Sequence, residues 1–172
     1  EEVLREHPRD SVRIDSGGVF SLWRNHQVVR EISESELSAL LNLYLHLHGE
    51  PVPQMTEHLK GAWDTITKDE NHHIIVNEID GDLVSSCVCV IIPNLTRNAR
   101  PYAFIENVVT HVDFRGKGYA TECLNRAKEI AQKANCYKMM LLTSSREEAT
   151  LHFYSDAGYS NTDKTAFVQW LQ

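Results

Sequence analysis

Hydrophobic and polar positions change their period several times along the chain, and each change predicts an element. Val28–Ile32 has the look of a short strand. Ser33 followed by Glu36 has the spacing of a capping box, in which hydroxyl and carboxylate each satisfy an orphan backbone N–H at a helix start. Leu37, Leu40, Leu41, Leu43, Tyr44 and Leu47 then recur at intervals that place them on one helix face. Gly49 ends that helix, and Pro51 and Pro53 stop its continuation. Thr56 caps a second predicted helix carrying Leu59, Trp63 and Ile66. His73–Ile79 is a β-branched run. Asp80-Gly81 supplies the positive φ of a two-residue hairpin turn, and Leu83–Ile92 returns as a longer strand. Residues 93–101 form a polar loop, and Tyr102–His111 is a third strand in succession.

The second half alternates helix and strand. Ala120, Cys123, Leu124, Ala127, Ile130, Ala131 and Ala134 make one apolar helix stripe. Met139-Met140-Leu141-Leu142 gives Lys138–Thr143 the look of a buried strand. Glu147–Asp156 is a short helix with Gly158 where a C′ glycine stands, and Ala166–Leu171 is a closing strand. Residues 1–26 lack clear periodicity, are punctuated by Ser16-Gly17-Gly18, and read as a loosely attached extension on a single domain, 27–172. The order strand, helix, helix, three strands, helix, strand, helix, strand predicts an α/β fold: a mixed sheet with helices on both faces.

Composition narrows the partners. A chain of 172 residues, 42% of them hydrophobic, suits one core. Its formal net charge of -7, with Lys and Arg scattered, would be repelled by nucleic acid and by anionic membrane, and a small cationic or neutral partner fits better. No apolar run reaches the ~20 residues of a membrane span, and the expected compartment is the cytoplasm. Cys87, Cys89, Cys123 and Cys136 read as reduced core thiols, and neither they nor the pairs His46/His48 and His72/His73 have the spacing of a metal site. Trp23, Trp63 and Trp170 read as packing residues.

Candidate chemistry concentrates in Arg115-Gly116-Lys117-Gly118-Tyr119-Ala120-Thr121, a strand-to-helix turn. Its two glycines let a ligand approach the main chain. The first N–H groups of the helix lack internal acceptors and stand at the positive end of the helix dipole, which suits a diphosphate. Arg115 and Lys117 add charge. A P-loop requires Ser or Thr after Gly-Lys, and here Lys117 is followed by Gly118. The dinucleotide fingerprint requires a third glycine where Thr121 stands, which argues against an oxidoreductase.

Arg115, Gly118 and Ala120 match Gln/Arg-x-x-Gly-x-Gly/Ala, the hallmark of the GCN5-related N-acetyltransferase (GNAT) family, which the chain resembles. Ile105-Glu106-Asn107-Val108-Val109 resembles the family's fourth strand, and Phe153-Tyr154-Ser155-Asp156-Ala157-Gly158-Tyr159 its late Phe-Tyr…Gly-Phe/Tyr segment. The first of these, with Arg115–Gly118, is most similar to glucosamine-phosphate and aminoalkylphosphonate members. The resemblance implies a single GNAT-like domain with a mixed, mostly antiparallel sheet. It implies acetyl-CoA as co-substrate and transfer of its acetyl group to a primary amine of a small molecule by direct attack through a tetrahedral intermediate. Backbone N–H groups of Gly116, Lys117, Gly118, Tyr119, Ala120 and Thr121 would hold the diphosphate. The pantetheine arm would pair with Val108, Val109 and Thr110 in the gap between splayed strands, and Tyr154 would protonate the leaving thiolate. Members often carry a cofactor-contacting Asn before the last helix. Glu147 stands there in this chain, with Ser144, Ser145 and Arg146 beside it, and Ser144 is the candidate contact.

For the chemical step, an N–H fixed near the thioester carbonyl stabilises the oxyanion, and Val109, beside an expected strand bulge, is the candidate donor. Glu106 is the candidate base for the amine, directly or through water, with His111 as a rival. Strand alternation sends Asn107 to the opposite face from Glu106 unless a bulge reorients one of them. Tyr154, with an ordinary pKa near 10, stays protonated and able to donate. Two further functions fit the same fold. One is acetylation of protein lysines or N-termini, which needs an open groove. The other is a non-catalytic acyl-CoA-binding module, which binds without turnover. An edge strand such as Ala166–Leu171 would be the pairing surface of a homodimer.

Overall fold

The structure, a computed structural model, describes residues 10–14, 20–24, 26–48 and 51–171 of the chain. Five strands form its main sheet: β3 (Gln27–Glu31), β4 (His72–Ile79), β5 (Asp82–Ile92), β6 (Tyr102–Thr110) and β7 (Met139–Leu141), in that spatial order. The first three junctions are antiparallel and β6–β7 is parallel. The mixed, mostly antiparallel α/β architecture is thus as the sequence predicts. The β4–β5 hairpin turns at Asp80 (φ 52) and Gly81 (φ 96), the positive pair that a two-residue turn matching strand twist demands.

Strand alternation divides the apolar residues between two faces. Ile75, Cys87, Cys89, Ile91, Ala103 and Ile105 point to helix α3 (Tyr119–Lys133) and pack on its stripe of Cys123, Leu124, Ala127 and Ala131. Phe153, Tyr154 and Ala157 of helix α4 (Glu148–Asp156) close the end of this face. Ile74, Val76 and Val88 point the other way, to Leu40 and Tyr44 of α1 (Leu37–His48) and Trp63 of α2 (Glu57–Lys68). Burying each such aliphatic side chain contributes about 1.5–3 kcal/mol. Burial pushes the Cys87, Cys89 and Cys123 thiols up, so they pack as small apolar groups.

The helix ends follow their sequence signals. Glu36 Oε2 accepts from the Ser33 N–H at 2.8 Å, and Thr56 Oγ1 accepts from the Leu59 N–H at 3.2 Å. Helix α4 ends in a Schellman motif around Gly158 (φ 91), with Tyr159 N–H donating to Tyr154 O and Gly158 N–H to Ser155 O. The expected stop at Gly49 lies outside the described residues. No described helix is long and apolar enough to cross a membrane.

Three expectations are corrected. Within residues 1–26, where no period predicts an element, β1 (Asp10–Ile14) and β2 (Phe20–Arg24) pair antiparallel in a sheet of their own, with Val12 opposite Leu22 and Ile14 opposite Phe20. Only two apolar residues alternate in each strand, too few to register as a period. Ser16-Gly17-Gly18 lies outside the described residues. Lys138–Thr143 is expected to be buried but shortens to a three-residue strand of half-buried residues, and Leu142 is exposed. Its only described pairing is with β6, so one edge and part of one face stay uncovered. Ala166–Leu171 forms no strand: Phe167 is 93% and Trp170 89% exposed. Its alternation encodes a local tendency, but a strand requires a partner backbone, and here none is paired. Among the described residues the edge strands of the main sheet are β3 and β7.

Candidate active site

Beyond β6, a single 3-10 turn at Val112–Phe114 leads into Gly116 (φ 73) and Gly118 (φ 86), and α3 begins at Tyr119. A Cβ at either glycine would meet nothing within 4 Å. Glycine is required here for the left-handed backbone, which costs other residues roughly 1–2 kcal/mol. Phe114 N–H donates to His111 O, Arg115 N–H to Val112 O and Glu122 N–H to Gly118 O. Between them, the amides from Gly116 to Thr121 have no acceptor among the described residues, and Gly118 has no side chain with which to cap them. Six consecutive free N–H groups at the positive end of a fifteen-residue helix make an anion cradle.

The two cations of the turn are engaged with the protein itself. Arg115 Nε donates to Thr110 O and its Nη2 to His46 O, both at 3.2 Å, so its side chain ties the end of α1 to the end of β6. Lys117 Nζ donates to Asp113 O at 2.9 Å and lies 5.0 Å over the Phe114 ring. Both add positive potential, but the geometry gives them the work of bracing the turn. The His111 ring lies 4.1 Å from that of His46, beside this brace and away from the Glu106 position in the strand, and its Nδ1 accepts from Asp113 N–H.

Next to the cradle the sheet opens. Pairing of β6 with β7 ends at Ile105–Leu141, leaving residues 106–110 with no partner on that side among the described residues. On the other side the β5–β6 register shifts between Ser86 and Val88, so that Asn107 and Val108 together face Cys87 alone. Asn107 takes φ 50 at this bulge. Hydrogen-bonded pairs alternate along an antiparallel ladder. His111 N–H donates to Val84 O, so Val109 with Ser86, two residues inward, is the next such pair. On that alternation the Val109 N–H faces β5. Its neighbours Val108 and Thr110 aim their amides into the gap.

The same bulge settles which way two polar residues face. Glu106 lies opposite Val88, a residue of the α1–α2 face. Asn107 escapes alternation through its left-handed backbone, and its carboxamide meets the Tyr44 hydroxyl on α1. Both thus serve the same side. Glu106 is exposed, with no ion pair or hydrogen bond among the described residues. Tyr154 sits on α4 across the sheet, half-buried between Phe153 (ring centroids 4.8 Å) and Tyr159 (6.2 Å). Its hydroxyl has no partner among the described residues. Burial raises its pKa above the usual 10, with the Cys87 thiol and the Glu106 carboxylate adding to the shift, so it remains a proton donor. Ser144 is exposed in the loop before α4, where Ser145 and Glu147 are occupied with local backbone turns.

Tyr44 and Ser86 are site residues that sequence reasoning missed. Burial pushes the Tyr44 hydroxyl up to about 12 beside Asn107 and Ser86. Ser86 Oγ, fully buried, has no hydrogen bond of normal geometry among the described residues. In the sequence Tyr44 is one more member of an apolar helix stripe, and nothing local marks its hydroxyl as aimed at a bulge about sixty residues on.

An anion cradle on a helix N-terminus thus opens onto the end of the β6–β7 pairing, with Tyr154 on one face of the sheet and Glu106 on the other, within an α/β fold of acyltransferase type. Residues 37–159 match the model of the acetyltransferase (GNAT) family, and the chain belongs to that family. A glucosamine 6-phosphate N-acetyltransferase of Trypanosoma brucei brucei is 29% identical over 136 residues, 76% of this chain and 87% of that one. A solved structure from Agrobacterium tumefaciens str. C58, assigned as an acetyltransferase, superposes with a TM-score of 0.78 at 38% identity, covering 84% of this chain and 99% of its own. An aminoglycoside N-acetyltransferase in complex with CoA shares the fold, with a TM-score of 0.70 at 17% identity, covering 85% and 95%.

Proposed function

We propose that the protein transfers the acetyl group of acetyl-CoA to a primary amine of a small molecule, by direct attack of the amine on the thioester. The observation that carries this reading is the run of unbonded amides from Gly116 to Thr121, set at the mouth of the β6–β7 gap. The first fits a diphosphate, the second an extended pantetheine arm. Acetyl-CoA supplies an activated carbonyl with a thiolate leaving group. The kinship to a glucosamine 6-phosphate N-acetyltransferase, whose name denotes a small amino sugar, supports a small acceptor.

In this reading the residues divide the work as follows. Val108 and Thr110 amides, directed into the gap, bind the arm and meet the charge that grows on the carbonyl oxygen. A well-placed donor of this kind typically contributes about 10²–10³ in rate. Glu106, free and on the α1 side, takes a proton from the incoming ammonium or from the attacking amine, directly or through water. The C–S bond breaks as the C–N bond forms. Tyr154 gives its proton to the departing sulfur and regains one from solvent. Ser144 lies at the loop edge as a further contact to the arm. Helices α1 and α2 wall the acceptor side, where Tyr44 and Asn107 are the polar groups on offer.

A screen of amines for release of free coenzyme A thiol tests the reading. Turnover with a small amine, and none with lysine peptides, is the expected result. Saturable binding of acetyl-CoA without turnover of any amine would replace it with a sensor. Absence of acetyl-CoA binding would end it.

A further inference from the structure

The cradle helix is held by a buried set of side chains outside the catalytic groups. Asn77 of β4 is fully buried, and its single amide group donates to Glu122 Oε2 at 2.8 Å and to Tyr119 O at 3.3 Å. Both acceptors lie in the first turn of α3. Gln27 of β3 donates to Asn77 Oδ1 at 3.2 Å and also to Glu122 Oε2. Three side chains from three elements close a triangle beneath the turn. Asn77 follows Ile75 onto the α3 face by strand alternation, and it stands at a register shift where Val84 is the extra residue on β5.

The turn has few other polar tethers. Gly118 offers no capping side chain, and the amides of Gly116–Thr121 are unbonded among the described residues. Arg115 and Lys117 brace the loop before the helix but not the helix itself. A buried amide that satisfies a carboxylate and a carbonyl at once fixes both the rotation and the depth of the first turn. Loss of either acceptor would leave the buried Asn77 amide partly unsatisfied. We infer that Asn77, with Gln27, is a positioning residue for the diphosphate cradle, acting on coenzyme A through the seating of Tyr119 and Glu122 and touching no substrate. This inference rests on the proposed acetyl-CoA site.

The test compares two acetyl donors, acetyl-CoA and S-acetylpantetheine, which has the same thioester and arm but no diphosphate. Asn77→Leu is expected to raise KM for acetyl-CoA at least 10-fold, leave kcat at saturation within 3-fold, and leave kcat/KM for S-acetylpantetheine unchanged. Gln27→Met is expected to move the same KM in the same direction by about 3-fold, and it decides the matter if Asn77→Leu fails to fold. Leu40→Ala, in the core of the opposite face, provides a destabilised control that keeps wild-type KM. Unchanged KM for acetyl-CoA in the folded variants, or an equal loss on both donors, overturns the inference while leaving the site intact. Failure of the wild-type protein to saturate with acetyl-CoA would overturn the site itself.

Discussion

The two faces of the sheet are built to different rules. Under α3 many residues are small: Ala103, Cys87, Cys89, Cys123, Ala127 and Ala131 bring helix and sheet close together, and the fully buried Asn77 is partnered by Glu122 and Tyr119. Under α1 and α2 Leu40 and Trp63 are large members, and polar groups intrude: Tyr44, Asn107 and Ser86, whose hydroxyl lacks a partner among the described residues. One face has to hold a fixed geometry of backbone amides. The other has to offer side chains to an acceptor. Rigid small-residue packing suits the first task, and an imperfectly satisfied polar pocket suits the second.

The largest effect that breaks this contrast is expected at Gly118. Gly118→Val forces a β-branched residue to φ 86, and the turn must rearrange. Coenzyme A affinity measured by calorimetry should fall by about 10³-fold, since several charge-assisted hydrogen bonds are lost together. Gly81→Val, at φ 96 in the β4–β5 hairpin, carries similar strain and should lower the melting temperature while leaving that affinity alone. Equal affinity in the Gly118 variant and the native protein would mean that the cradle binds no diphosphate.

Next in size is the chemical step. Tyr154→Phe and Glu106→Gln should each lower kcat by about 10²-fold with KM for acetyl-CoA little changed, because both act on protons in transit. Tyr154 sits on the α3 side and Glu106 on the α1 side, so the pair reports whether acid and base work from opposite faces. If either substitution weakens acetyl-CoA binding as much as it slows turnover, that residue binds the donor and transfers no proton.

A smaller effect sharpens the difference in packing. Ala127 is fully buried on α3 against Cys89. Ala127→Leu overfills that face at a cost of about 1–3 kcal/mol. It should also raise KM for acetyl-CoA several-fold by lifting the helix that carries the cradle. An unchanged KM at lowered stability would show that the amide cradle tolerates displacement of its helix.

What the sequence makes legible follows the same division. The cradle is local: Arg115 to Thr121 is seven consecutive residues, so the glycine spacing, the helix start and the candidate amides are all readable in order. Elements with strong periods, such as Leu37–His48 and Tyr119–Lys133, emerge at nearly their observed limits. The acceptor side is assembled from Tyr44, Ser86 and Asn107, which are distant in sequence and meet only through β5–β6 pairing. The direction of the Val109 amide depends on the parity of a register that no single strand encodes. Ala166–Leu171 shows the reverse failure, a strand-like alternation without a paired backbone.

The smallest expected effect concerns how α1 is anchored to the acceptor face. Arg30 of β3 bridges Glu36 and Glu78, each at 2.6 Å, with Glu36 also accepting from Ser33 at the start of the helix. The Arg30 guanidinium, bonded to the carboxylate, holds Glu36 at about 2, well below its ordinary 4.5, against the opposing effect of burial. A carboxyl depressed on folding stabilises the folded chain above about pH 4.5, and that stabilisation is lost as the pH falls from there toward 2. The side chains of Arg30 and Glu36 retain 31% and 22% of their exposure, so solvent screening limits the contribution to about 1 kcal/mol. Glu36→Gln should therefore lower stability by about that amount at pH 7 and flatten the acid limb of the stability curve between pH 4.5 and 2. Urea unfolding across that range reads both changes, and coenzyme A affinity should not move, because the anchor lies on the face that does not carry the cradle. A Glu36→Gln protein with the native acid limb would show that Arg30 draws its anchoring from Glu78 alone.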